Sequence, residues 1–212
     1  LETVVVDQEG KAVLNFKSEE QVVIAGQAAV FKASGAMEDV KLWQPDYPYL
    51  YEVFCILREN GEALDVYPIT TGFRKVDFKG GHNTGGVYIN NKQIYLKGYA
   101  QRSTNEWAVL GSALPEWVTD YDAELFKDSN ANFVRWMHIS AKPAEIRAAD
   151  KYGIVCLQPA GDSEKDVVGR QWEQRVEVMR DAMIYFRNHP SILFWEAGNN
   201  RITADHMRQM RE

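Results

Sequence analysis

The sequence has little of what usually marks a metal centre or a covalent scaffold. Its 212 residues include two cysteines, Cys55 and Cys156, and four histidines. No Cys/His spacing matches a metal site, so neither a metal nor a cofactor is expected. The two cysteines fall on apolar strands of different domains, which predicts two buried free thiols rather than a disulfide. There is no basic run and the formal net charge is −6. That argues against nucleic acid, whose phosphates require clustered Lys and Arg. No apolar stretch approaches the roughly 20 residues of a membrane span. The start, LETVVVDQEG, lacks the basic end and long apolar core of a signal peptide, and the compartment stays open. No strand is followed by a G-x-G-x-x-G loop; the nearest stretch, GYAQRSTNEWAVLG (98–111), has the wrong spacing. The chain opens at Leu1 and stops at HMRQMRE, and both ends are expected to be cuts in something longer.

What is present reads as two domains. Hydrophobic residues make up 45% and charged residues 25%, as in an ordinary globular protein. Residues 1–76 show short apolar or alternating runs at 3–6, 13–16, 21–24, 29–33, 50–57 and 64–68, separated by turn-like stretches. Asn60-Gly61 is a strong hairpin signal, and the set predicts a β-sandwich. Tyr47, Tyr49 and Tyr51, in LWQPDYPYLY (42–51), are expected to pack the domains together.

From residue 77 the pattern changes. VYINNKQIYL (87–96) predicts a hairpin with Asn91-Lys92 at its tip. Helices are expected over 115–129, with Trp117, Tyr121 and Leu125 as a stripe, then over 143–152, 172–186 and from 205. Strands are expected over 131–136, 154–157 and 192–195. Near-continuous apolar strands between amphipathic helices predict a parallel sheet covered on both faces. Four such units make half of an eight-stranded barrel; a doubly wound sheet fits the alternation but lacks its phosphate loop.

The last strand ends unusually. FWEAGNN (194–200) closes on two amides, where a strand facing a pocket would offer a carboxylate. Together with GFR (72–74), YINNKQIYLKG (88–98), ANFVRWMH (131–138) and NHPSILFWEAGNN (188–200), in that order, it resembles the family 2 glycoside hydrolases. The resemblance covers essentially the whole chain. It implies a multi-domain β and α/β fold: an immunoglobulin-like β-sandwich (1–76), then the first four β/α units of a TIM (β/α)8 barrel (77–212). It implies hydrolysis of a β-glycoside by a retaining two-carboxylate mechanism, with a carbohydrate substrate.

Residue by residue, the resemblance implies that Arg135 supports the site, His138 lies near the sugar and Asn199 contacts a sugar hydroxyl. The family's general acid/base Glu falls on Asn200. An acidic run after the third barrel strand is replaced by LQPAGDSE, with Gln158 and Pro159 in place of the acids. The nucleophile would lie on strand seven, outside this sequence, so this chain alone is expected to be inactive.

A carboxamide does not release a proton near neutral pH. Positioned acid/base catalysis is worth roughly 10²–10⁴-fold, about 3–5 kcal/mol. Glu106, Asp162 and Glu164, on loops of the catalytic face, are the alternative acids. Each is otherwise a solvated loop carboxylate. Glu196 shares a face with Asn200 but sits about 13 Å deeper at ~3.3 Å per residue, and is expected to pair structurally with Arg135. Trp107 is a candidate sugar platform, whereas Trp136 and Trp195 are expected in the core. Thr203 is expected to cap the last helix. A carbohydrate-binding relative without activity is the alternative function. Half a barrel exposes two strand edges, so self-association or marginal stability is expected.

Overall fold

The computed structural model describes residues 1–81, 85–102, 107, 109–111, 113–159, 161 and 165–211. The N-terminal region holds one antiparallel sheet of order β2-β1-β3-β4, built from β1 (Glu2–Val6), β2 (Ala12–Lys17), β3 (Tyr51–Glu59) and β4 (Glu62–Thr71). Asn60 and Gly61 turn the β3–β4 hairpin at φ 51° and 88°, both in the left-handed region that an Asn-Gly hairpin turn uses. Residues 21–24 and 29–33 are not strands, contrary to the pattern reading. Val22 and Val30 are 91% and 76% exposed and face no sheet partner, so their apolar character reports no burial. Cys55 and Cys156 are both free thiols, but Cys55 is only half-buried.

A three-stranded meander follows: β5 (Val76–Lys79), β6 (Gly86–Ile89) and β7 (Lys92–Ile94). Its tip is Asn90-Asn91, one residue earlier than expected, because Ile89 pairs with Lys92 and both asparagines take positive φ.

Four parallel strands complete the chain in the order β11-β10-β9-β8. Each leads into a helix: β8 (Gly98–Gln101) into α1 (Glu116–Asp128), β9 (Phe133–Trp136) into α2 (Pro143–Tyr152), β10 (Val155–Pro159) into α3 (Arg170–Phe186), and β11 (Ile192–Glu196) into α4 (Ala204–Arg211). Gly153 stops α2 at φ 70°, and a Cβ there would stand 2.3 Å from the Pro45 carbonyl oxygen.

Alternation sorts the parallel strands into two faces. Val134, Trp136, Cys156 and Trp195 pack with Ala123, Ile146 and Ala149 from the helices. On the opposite face Phe133, Val155 and Phe194 rest on Trp43, Ile89, Ile94 and Leu96, which close the floor. Val176, Met179 and Met183 of α3 do form one apolar face, with Trp172 and Met210. The α1 stripe is different. Trp117, Tyr121 and Leu125 are exposed, and Val118 and Ala123, one turn-angle around, are buried. The expected stripe lies on the wrong face: Val118, Ala123 and the partly buried Phe126, edge-to-face with Tyr99 of β8, are the α1 residues turned to the core.

The tyrosines also pack elsewhere than expected. Tyr49 and Tyr51 are buried inside the sandwich region with Val5, and Tyr47 stacks on Tyr49 half-exposed. Trp43 instead is among the N-terminal residues that reach the parallel-sheet units. It is fully buried and donates from Nε1 to the Asp150 carbonyl oxygen at 2.8 Å.

Glu145, in the first turn of α2, is buried beside a pocket of about 30 Å³ that Thr119, Asp122 and Trp136 also line. Its Oε2 accepts the Lys142 backbone N–H at 2.6 Å. Burial pushes its pKa up to about 7, against the lowering effect of that hydrogen bond. Between pH 4.5 and about 7 the folded chain therefore binds more protons here than the unfolded chain. Stability from this group is complete below pH 4.5 and is lost as pH rises through about 7. Glu145→Gln should gain about 1–3 kcal/mol relative to the native chain between pH 5 and pH 8. Calorimetry at the two pH values measures it, and an unchanged difference would remove Glu145 as the source.

Candidate active site

The polar end of the barrel-side face is made by β9 and β11. Arg135 on β9 and Glu196 on β11 lie two strands apart, with β10 between them. Strands in a sheet are about 4.8 Å apart, so only a long side chain spans that gap. The Arg135 guanidinium does so and meets Glu196 in a fork. Nε donates to Oε2 at 2.6 Å and Nη2 to Oε1 at 2.8 Å. Such bidentate pairs combine charge with fixed geometry. The pairing expected for Glu196 is therefore present.

Nη2 also donates to Asn199 Oδ1 at 3.0 Å, which brings the first residue of the Asn pair to the same cluster. His138 is buried, with Nδ1 3.8 Å from Glu196 Oε1. Glu196 thus stands between a guanidinium and an imidazole. The Asn199 amide presents its oxygen to the arginine, so its nitrogen is turned the other way.

Asn200 is exposed and pairs as an isolated bridge with Lys165 of the β10–α3 loop. Neither asparagine caps α4. Thr203 does, its Oγ1 accepting the His206 N–H at 3.3 Å, as its position predicted. Gln158 and Pro159, which stand where relatives were expected to carry acids, are fully buried. Gln158 Oε1 accepts the Ala141 N–H at 3.2 Å and the Pro159 carbonyl accepts Ser140 Oγ at 2.6 Å. These residues hold the β9–α2 loop against the end of β10.

Trp107 is not brought to the Arg135 cluster by any described contact. It is half-buried, edge-to-face with Tyr121 of α1 at 6.1 Å between ring centres. Glu106, Asp162 and Glu164 lie outside the described residues. Among the described residues no group of three or more His, Cys, Asp or Glu side chains gathers as metal ligands would.

Sequence reasoning missed Asp166 and His206, which tie the loop after β10 to the start of α4. His206 Nδ1 is 2.6 Å from Asp166 Oδ1, and its ring stacks on Trp172. The available signal was weak: an acid just before one helix and a histidine in the first turn of the next.

Comparison with known proteins agrees with this architecture. The family described as "Glycosyl hydrolases family 2, TIM barrel domain" matches residues 82–212, and "Glycosyl hydrolases family 2" matches residues 1–74. The chain belongs to glycosyl hydrolase family 2. Its fold is an immunoglobulin-like sandwich region followed by the first four β/α units of a TIM barrel. A β-glucuronidase of Formosa agariphila is 36% identical over 212 residues, covering 100% of this chain and 21% of the relative. A β-galactosidase of Thermoanaerobacter pseudethanolicus is 29% identical over 172 residues, covering 80% of this chain and 22% of the relative. A solved family 2 β-glucuronidase superimposes with a TM-score of 0.82 at 34% identity, over 99% of this chain and 22% of the other. A β-glycosidase from Bacteroides vulgatus gives 0.82 at 25% identity, over 99% and 26%. The chain thus spans about a fifth to a quarter of the length of these proteins.

Removing one half of the ion pair tests its part in this architecture. Glu196→Leu leaves the Arg135 charge without its bidentate partner and should cost about 2–3 kcal/mol. Arg135→Met combined with Glu196→Leu should recover much of that. Denaturant midpoints measure both, and a double variant no better than the single would refute the pair as the source.

Proposed function

We propose that this chain is the site-bearing part of a retaining β-glycosidase, acting on a carbohydrate substrate whose glycosidic bond it hydrolyses. The observation that carries the reading is the Arg135–Glu196–Asn199 cluster at the end of β11, in a chain of this family. In this reading the chain divides at 76/77 into sandwich and half-barrel. Asn199 reaches a sugar hydroxyl with its amide nitrogen, Arg135 fixes that amide, and His138 lies beside the same sugar. The activities for which the relatives are named, β-glucuronidase and β-galactosidase, support a β-glycoside as the substrate.

Asn200 then occupies the acid/base position. Its amide donates a hydrogen bond to the leaving oxygen but transfers no proton. Departure of the leaving group is unassisted unless a loop acid such as Glu106, Asp162 or Glu164 supplies the proton. The second carboxylate, the nucleophile, belongs to the other barrel half, so this chain alone is inactive and its exposed strand edges promote self-association. The substitution itself favours one alternative, a carbohydrate-binding relative that has lost turnover.

The test uses the full-length protein and 2,4-dinitrophenyl β-glycosides, with and without azide. Such a leaving group needs no acid, and azide needs no base. Acceleration by azide with formation of the β-glycosyl azide supports a working nucleophile opposite a missing acid/base. Fast turnover that azide does not change points to a substitute acid. No turnover on glucuronide or galactoside supports the binding reading. In the first case Asn200→Glu should raise kcat/KM for poor leaving groups by about 10²–10⁴-fold, barely change kcat/KM for dinitrophenyl substrates, and remove the acceleration by azide. A uniform effect on both would exclude Asn200 from the acid/base position.

A further inference from the structure

The segment carrying Asn199 and Asn200 is held from outside by a carboxylate that the glycosidase reading does not use. Asp166 sits on the β10–α3 loop, next to Lys165, which forms the bridge with Asn200. Its Oδ1 accepts the Val167 N–H at 2.9 Å and faces His206 Nδ1 at 2.6 Å. Its Oδ2 accepts the Thr203 N–H at 3.1 Å. One carboxylate therefore ties its own loop to two points just beyond Asn200. Burial works against its charge, yet the His206, Thr203 and Val167 donors hold its pKa below the usual carboxylate range.

His206 is fixed in turn. Its ring lies flat on Trp172 at 3.9 Å and 9°, and Trp172 Nε1 donates to Gln209 Oε1 at 2.7 Å. Both side chains of the Asp166–His206 pair are largely shielded, at 18% and 17% exposure. The chain between Asn200 and Thr203 needs such a restraint. Arg201 takes φ 54°, a conformation that costs a non-glycine residue about 1 kcal/mol or more and persists only where neighbours impose it.

We infer that Asp166 and His206 are positioning residues for Asn200: together they set where the loop after β11 places that amide relative to Asn199. The inference rests on the reading of Asn200 as the residue facing the leaving group. Arg135 anchors the segment from inside through Asn199, and Asp166 anchors it from outside through Thr203. Asn200, between the two anchors, takes its place from both.

The experiment is a double-mutant cycle in the full-length protein, with 4-nitrophenyl β-glycosides as substrates and amide hydrogen exchange over residues 199–203 as a second readout. His206→Phe keeps a ring on Trp172 and removes the Nδ1 donor. It should lower kcat about tenfold with little change in KM when Asn200 is present, and less than about twofold in an Asn200→Ala background. His206→Asn, which restores a donor near the Nδ1 position, should recover most of the loss. Equal losses in both backgrounds would mean a merely structural role and would overturn the inference, as would failure of His206→Asn to rescue. If the unmodified protein turns over no glycoside, the glycosidase reading fails, and exchange alone decides this one. Exchange at 200–203 at least about tenfold faster in His206→Phe sustains the two-anchor arrangement. Unchanged exchange overturns it.

Discussion

The bidentate pair between Arg135 and Glu196 is the interaction on which the polar end of this molecule depends. It joins the second and fourth strands of the parallel sheet across the third, at 2.6 and 2.8 Å, and it also fixes Asn199 at 3.0 Å. Below it the same sheet face is apolar, with Phe133, Val155 and Phe194 resting on Trp43 and Ile89. A charge at that depth is tolerable only with a partner of matched geometry. The face thus changes character within one pleat, from a packed floor to a charged rim. That change defines where a polar ligand can be received.

The strand that carries the rim is gripped at its other end by the sandwich region. Arg74 donates to the carbonyls of Pro190 and Ile192, and Thr71 Oγ1 donates to the Asn188 carbonyl at 2.6 Å. Asp150 accepts the Ser191 N–H at 3.0 Å and meets His189 Nδ1 at 2.5 Å, while its own carbonyl accepts Trp43 Nε1. The start of β11 is therefore referenced to α2 and to the N-terminal region. Buried contacts of this kind are short, directional and individually worth about 1–3 kcal/mol. Their combined effect is to make the sandwich region part of how β11 is placed, rather than an appended module.

Much of this was legible from residue types. Asn60-Gly61 and Gly153 fixed a turn and a helix end because positive φ admits few residues. The parallel strands were legible because they are apolar on both faces, and Thr203 because its hydroxyl is an efficient cap. What failed had a common cause. Val22, Val30, Trp117 and Tyr121 are large and apolar, yet exposed. A residue's hydrophobicity does not say whether a partner surface exists, and α1 meets the core through Val118, Ala123 and Phe126 instead. The pairing of Glu196 with Arg135 could be anticipated from period-two alternation, but the tie between Asp166 and His206 could not. It joins two loops, and loop positions carry no periodicity.

The amide at position 200 gains its meaning from this rigid setting. An Asn on a loose loop would be a minor change, since its place could be taken by solvent or by a neighbour. Here the segment is held from inside by Arg135 and from outside by Asp166, with the Lys165 bridge between. In the proposed reading, an amide on a segment held at both ends donates a hydrogen bond at a smaller entropic cost than one on a loose loop. However it is held, the amide transfers no proton near neutral pH. Under the proposed glycosidase reading, a proton for the leaving group would therefore have to come from a side chain outside β11 and the loop that follows it.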